Sequence, residues 1–218
     1  MEERTKETRD AQTASVGARP SSKSEARRIT EFVAWTRQIL GSNINSLFDD
    51  SDWTFIVKLH AMIETALNAA LVKHLSAPEL SEIIAKLDTS NTATGKIAFA
   101  KALKILKPQS TVFIQKLSQL RNHCVHDVRN FDFDLAKHLE SLSEDKRKDL
   151  TKRVLKFLKE EERKTITFRD ALAAAGMDVM MELELHDLHC DLRNTQSEIQ
   201  KYEAEFFRAQ QESNPTKG

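Results

Sequence analysis

Between Trp53 and Leu75 the chain reads WTFIVKLHAMIETALNAALVKHL. A helix of that length is about 34 Å long at 1.5 Å per residue. Its apolar residues fall on more than one face, so a helix here must be covered on several sides at once. The run contains a single acid, Glu64. A segment of this kind predicts the central helix of a bundle, and the rest of the chain has to supply its neighbours.

The remaining punctuation agrees. Five glycines and four prolines are spread over 218 residues, and the stretches between them are rich in Ala, Leu, Lys, Glu and Gln, the good helix formers. No internal repeat and no sustained alternation of strand type is present. The expected fold is all-α, an up-and-down helical bundle with extra C-terminal helices.

Along the chain, residues 1–24 carry mixed charge and almost no large apolar group, and are expected to be a disordered tail. In the segment ARRITEFVAWTRQIL, Ile29, Phe32, Val33, Thr36 and Leu40 recur at spacings of three and four before Gly41, which predicts a first helix. After the long apolar helix, Ser76 and Glu79 have the spacing of a capping box for a short helix, PELSEIIAKL. The polar linker DTSNTATG leads to GKIAFAKALKIL, and Pro108 is placed to open the helix QSTVFIQKLSQLRNHCVHDV. FDFDLAKHLESL follows as a turn and short helix. SEDKRKDLTKRVLKFLKEEERKT is amphipathic, with Leu150, Val154, Leu155 and Leu158 on one face. TITFRD reads as extended chain or one short strand. Thr167 with Asp170 caps a last helical region reaching roughly Gln211, with Gly176 as an interruption. The expected organisation is thus a bundle over 25–142, a C-terminal helical extension over 143–213 and a disordered end at 214–218.

Thirty-three basic residues balance thirty-three acidic ones, so the chain as a whole has no electrostatic pull towards nucleic acid or an anionic membrane, and any such affinity must be local. Cys124 and Cys190 lie far apart, and neither a signal peptide nor an apolar run suited to spanning a bilayer is evident. A cytoplasmic protein without membrane contact is the expectation.

The densest polar stretch is Leu120–Asp127, LRNHCVHD. At about 100° per residue, Phe113, Leu117, Leu120, Cys124 and Val128 make one core stripe, which assigns Cys124 to packing. Arg121 lies beside that stripe, His123 is on the other flank, and Asn122 and His126, one turn apart, point away from the core. A second LRN, at Leu192–Asn194, has Glu198 where His126 stands in the first, so the triplet alone carries little.

The wider pattern carries more. GKIAFAKALKIL, a proline-started helix, KLSQLRNHCVHD and a following FDFDL together resemble the HEPN superfamily, the higher eukaryote and prokaryote nucleotide-binding helical domains. The likeness is closest to the mannitol operon repressor branch and covers about residues 25–142. Lys96, Ile97, Ala100 and Leu103 match the segment preceding the motif, and Arg121, Asn122 and His126 match its arginine-asparagine start and histidine. The resemblance implies metal-independent cleavage of RNA at a site formed where two subunits meet. His126 would take a 2′-hydroxyl proton and Arg121 would hold the phosphate. Asn122 would orient the imidazole or bind phosphate. His123, standing where apolar or aromatic residues are common, is a second candidate base, and Glu64 is an auxiliary acid or a partner for Arg121. On a regular helix Arg121 and His126 diverge by about 140°, so two copies of the helix about a twofold axis suit one site better than one copy.

Three weaker signals remain. Lys146, Arg147, Lys148, Lys152 and Arg153, with Lys156, form a basic run able to steer RNA, although EEE at 160–162 makes a solvated amphipathic helix the plainer reading. His186, His189 and Cys190 share a helix face as zinc ligands would, and with His123, Cys124 and His126 would supply a four-ligand site; without a CxxC pair, no metal or cofactor is expected. Leu185, Leu188, Leu192, Ile199, Tyr202 and Phe206 form an uneven apolar repeat that packs on the bundle or pairs with a partner helix. The function expected is a HEPN-like dimer that binds and cleaves RNA. The alternative is a non-catalytic helical regulator similar to the mannitol operon repressor family, acting through protein or nucleic-acid binding.

Overall fold

The computed structural model describes residues 50–126 and 132–213. The helix expected over 25–40, both terminal tails and Val128 lie outside the described residues. Within them the chain forms seven α-helices and two short 3-10 turns, with no strand. The helices are α1 (Asp52–Leu75), α2 (Ser81–Lys86), α3 (Lys96–Ala102), α4 (Pro108–His126), α5 (Leu135–Ser141), α6 (Glu144–Leu155) and α7 (Phe168–Ser213).

Helix α1 is the central element. Phe55, Ile56, Leu59, Ile63, Leu67, Ala70 and Leu71 are all buried, and the helix packs on α7, α4, α3 and α2. By length and composition it is also apolar enough to cross a membrane, contrary to the expectation that no such run exists; here its buried apolar residues face neighbouring helices. The contact pairs set the directions. Trp53 meets Cys124 and His60 meets Ser118, so α4 runs antiparallel to α1. Asp52 meets Arg169 and His74 meets His186, so α7 runs parallel to α1. Three long helices therefore alternate up, down, up.

The expected boundary between bundle and extension at residue 142 falls inside this packing. Ala171, Leu172, Ala175, Val179 and Leu183 are buried in the same core as α1, which makes the first half of α7 its third long helix. Gly176 does not interrupt that helix. A Cβ there would come within 2.7 Å of Leu59 Cδ1, so the glycine permits close approach of α7 to α1.

Two local readings are corrected as well. Ser76 is the left-handed C-cap of α1, its N–H bonded to Lys73 O, and Ser81–Lys86 begins after a 3-10 turn with no side-chain cap. The TITFRD segment is a turn into α7, where the Asp170 N–H donates to Thr167 Oγ1 at 3.1 Å, the cap the spacing predicts. Pro108 opens α4, and Glu182 of α7 accepts from Lys107 N and Ser110 Oγ at that helix's start, where a carboxylate offsets the unpaired N–H groups.

Candidate functional site

Helix α4 carries LRNHCVH on its last two turns. Leu120 and Cys124 are buried and hold this end to the core. Burial, with the Asp52 charge behind it, pushes the Cys124 thiol up to about 11, so it stays protonated at neutral pH and serves as packing. The Trp53 indole N–H donates to the Cys124 carbonyl oxygen at 2.9 Å, satisfying an acceptor that a helix end leaves unpaired.

Around this anchored end the outward face expected for Asn122 and His126 is exposed only at His126. Arg121 and Asn122 are half-buried and His126 is exposed. The Arg121 guanidinium donates from Nη1 to Asn122 Oδ1 at 3.1 Å, which couples the two neighbouring side chains. The Arg121–Glu64 pair is not formed. Glu64 instead accepts from Lys96 Nζ at 2.6 Å and Thr89 Oγ1 at 2.5 Å, and its other oxygen lies 3.8 Å from His60 Nδ1.

Lys96 is fully buried, its ammonium shared between Glu64 and the Ala85 carbonyl. A buried cation needs such a partner, and this gives a packing reason for the lysine in the KI segment. On its own, burial would raise the Glu64 carboxyl. The hydrogen bonds from Lys96 and Thr89 and the charge of Lys96 outweigh it and hold the group below the usual carboxylate range.

His60 Nε2 sits 2.9 Å from Ser118 Oγ. Ser118, His60 and Glu64 thus follow the order of a nucleophile, base and acid relay. Ser118 is only 2% exposed, so no substrate reaches its hydroxyl, and the chain of groups ties α4 to α1. Burial lowers the His60 pKa, assisted by the Arg121 and Lys96 charges and opposed by Glu64 and Asp88. The ring is therefore held neutral beside the motif arginine.

His123 points elsewhere. Its ring is 4.6 Å from that of His138 and 5.8 Å from that of Phe133. Burial and then the neighbouring His123 lower the His138 pKa. The two histidines share a cleft of about 470 Å³ with Lys116, Asp145, Lys146 and Asp149, so the structure joins His123 to Lys146, one of the basic residues singled out in sequence. The other four separate. Arg147, Lys148 and Lys152 line a shallow groove of about 820 Å³ with Lys156 and Arg163. Arg153 is bound to Asp149 at 3.0 Å, an acid that also takes Lys116 at 2.9 Å. Arg163 joins the groove from the 3-10 turn beyond α6, a placement invisible to helical spacing.

The histidines and cysteine of HDLHC also divide. His186 and Cys190 converge with His74 of α1, while His189 is exposed; His123, Cys124 and His126 remain on α4.

No family model, curated protein or solved structure matches the chain.

Proposed function

We propose that the chain is a HEPN-like RNA-binding protein acting as a metal-independent endoribonuclease, its site completed by a second copy. The observation that carries this reading is the anchored end of α4, where a coupled Arg121–Asn122 pair and an exposed His126 stand on a helix fixed by Cys124 and Trp53. In the reaction His126 accepts the 2′-hydroxyl proton as that oxygen attacks the adjacent phosphorus, and the P–O5′ bond breaks to leave a 2′,3′-cyclic phosphate and a 5′-oxygen that takes its proton from water. Arg121 stabilises the charge on the phosphate oxygens, and Asn122 holds the arginine or the imidazole in place. The divergence of Arg121 and His126 is met by pooling two α4 ends across a twofold axis. The groove of Arg147, Lys148, Lys152, Lys156 and Arg163 supports the polyanion preference. The test is cleavage of total RNA in EDTA by the wild type, Arg121→Ala and His126→Ala.

A second reading, a non-catalytic regulator similar to the mannitol operon repressor family, is favoured by the far half of α7. Leu185, Leu192, Ile199 and Phe206 recur every seven residues and are 52%, 44%, 52% and 61% exposed, a more regular stripe than the full set of apolar residues there. Its flanks carry Asp191, Glu198, Glu203 and Glu205, which suits a partner helix with basic flanks better than a second copy. Deleting residues from Leu192 onward tests it: partner capture lost with the bundle's melting unchanged supports this reading, and capture retained contradicts it.

A further inference from the structure

Away from the α4 motif, the end of α1 and the middle of α7 bring three metal-ligating side chains together. His74 lies in the last turn of α1, and His186 and Cys190 are one turn apart on α7. His74 Nδ1 is 3.0 Å from His186 Nε2, and Cys190 Sγ is 3.5 Å from the same nitrogen. All three donor atoms lie within 4.8 Å of one another. Bond lengths for zinc of about 2.05 Å to nitrogen and about 2.3 Å to sulfur imply tetrahedral edges of about 3.3 Å for N···N and about 3.6 Å for N···S. The two pairs that share His186 lie close to these edges, while His74 and Cys190, within 4.8 Å of each other, close on one another by a side-chain rotation as the ion binds.

We propose that His74, His186 and Cys190 form a three-ligand site for a zinc-class transition-metal ion. Two imidazoles and a thiolate are borderline-soft donors, a set that selects zinc and its neighbours over magnesium or calcium. Three protein ligands leave the fourth position to water or an external group, and half-exposed His74 and His186 leave a way in. The surroundings hold the set in place. Lys73, next to His74, reaches across to Asp191 at 2.8 Å and Asp187 at 3.8 Å, pinning the end of α1 to the α7 turn that carries the other two ligands. Arg193 Nη2 donates to Cys190 Sγ at 3.5 Å, placing a cation beside the sulfur that must become anionic. On binding, the Cys190 thiol releases its proton to solvent as the metal–sulfur bond forms, while both imidazoles bind as neutral groups.

The site does not depend on the RNA reading. His74 is fourteen residues beyond His60 on α1, about 21 Å along the helix, so the ion would fix the junction of α1 with α7 at a distance from Arg121. It also lies where α7 leaves the bundle, since residues 191–209, which follow Cys190 on that helix, are all exposed.

The test uses the full chain, stripped with chelator and titrated with zinc against a metallochromic competitor, then with cobalt(II) followed by absorption. Binding of one zinc per chain is expected, with a thiolate-to-cobalt charge-transfer band and the strong visible bands of a four-coordinate ion. Cys190→Ser should abolish the charge-transfer band, and His74→Gln should weaken binding more than about tenfold. Cys124→Ala and His189→Gln should leave both stoichiometry and spectrum intact. Circular dichroism of each variant separates loss of a ligand from loss of fold. Absence of stoichiometric binding by the wild type would overturn the proposal, as would a band that survives Cys190→Ser or disappears in Cys124→Ala.

Discussion

The indole of Trp53, at the start of α1, donates its N–H to the carbonyl oxygen of Cys124, two residues before the end of α4, at 2.9 Å. This one bond crosses 71 residues of sequence and fixes the turn on which Arg121, Asn122 and His126 stand. Trp53→Phe keeps most of the packing and removes the donor, leaving a part-buried carbonyl without this partner. Urea unfolding should show a loss of about 1–2 kcal/mol, and hydrogen exchange should show faster opening of the last turn of α4 than of its middle.

The neutral state of His60 sets a pH dependence. The groups facing it are Ser118, Glu64, Arg121, Lys96 and Asp88. Because its folded pKa lies below the ordinary value near 6.5, the unfolded chain takes up the proton first. Its contribution is therefore fully present above about pH 6.5 and is lost as pH falls from there through the lower folded value. Thermal melts between pH 7.5 and 5 should show this decline. His60→Gln, which keeps a hydrogen-bonding group opposite Ser118, should flatten it; an unchanged slope would remove His60 from the explanation.

The Glu64–Lys96 pair should respond unequally to loss of either partner. Lys96 is fully buried, whereas the Glu64 side chain is 33% exposed. Glu64→Ala leaves a buried ammonium with only the Ala85 carbonyl and should cost about 3 kcal/mol or more. Lys96→Met substitutes an apolar side chain and leaves a carboxylate that still reaches water, so the loss should be smaller. Chemical denaturation of the two variants checks the order.

Local periodicity made much of this architecture readable. The stripe of Phe113, Leu117, Leu120 and Cys124, the proline start of α4 and the Thr167–Asp170 cap all depend on neighbours within a few residues, and all are present. What failed depended on tertiary context. Ser76 and Glu79 have the spacing of a capping box, but the serine closes the preceding helix instead. Gly176 looks like a break because sequence cannot distinguish a helix end from a close approach to Leu59. The place of α7 in the core follows from its alignment beside α1, which no single helical pattern encodes. At the sites, the exposure of His126 was readable by face, while the half-buried Asn122 beside Arg121 was not. The Lys96 partner of Glu64, the joining of His123 to Lys146 in one cleft, and the convergence of His74 on His186 over 112 residues were not.

The central claim concerns the end of α4, and cleavage of RNA without metal tests it most directly. Purified wild type, Arg121→Ala and His126→Ala are incubated with total RNA in EDTA, with folding of each checked by circular dichroism. Wild-type cleavage should be reduced at least about a hundredfold in His126→Ala, the scale of a lost general base, and strongly reduced in Arg121→Ala. RNA left intact by folded wild-type protein, or cut equally well by all three, would contradict the assignment.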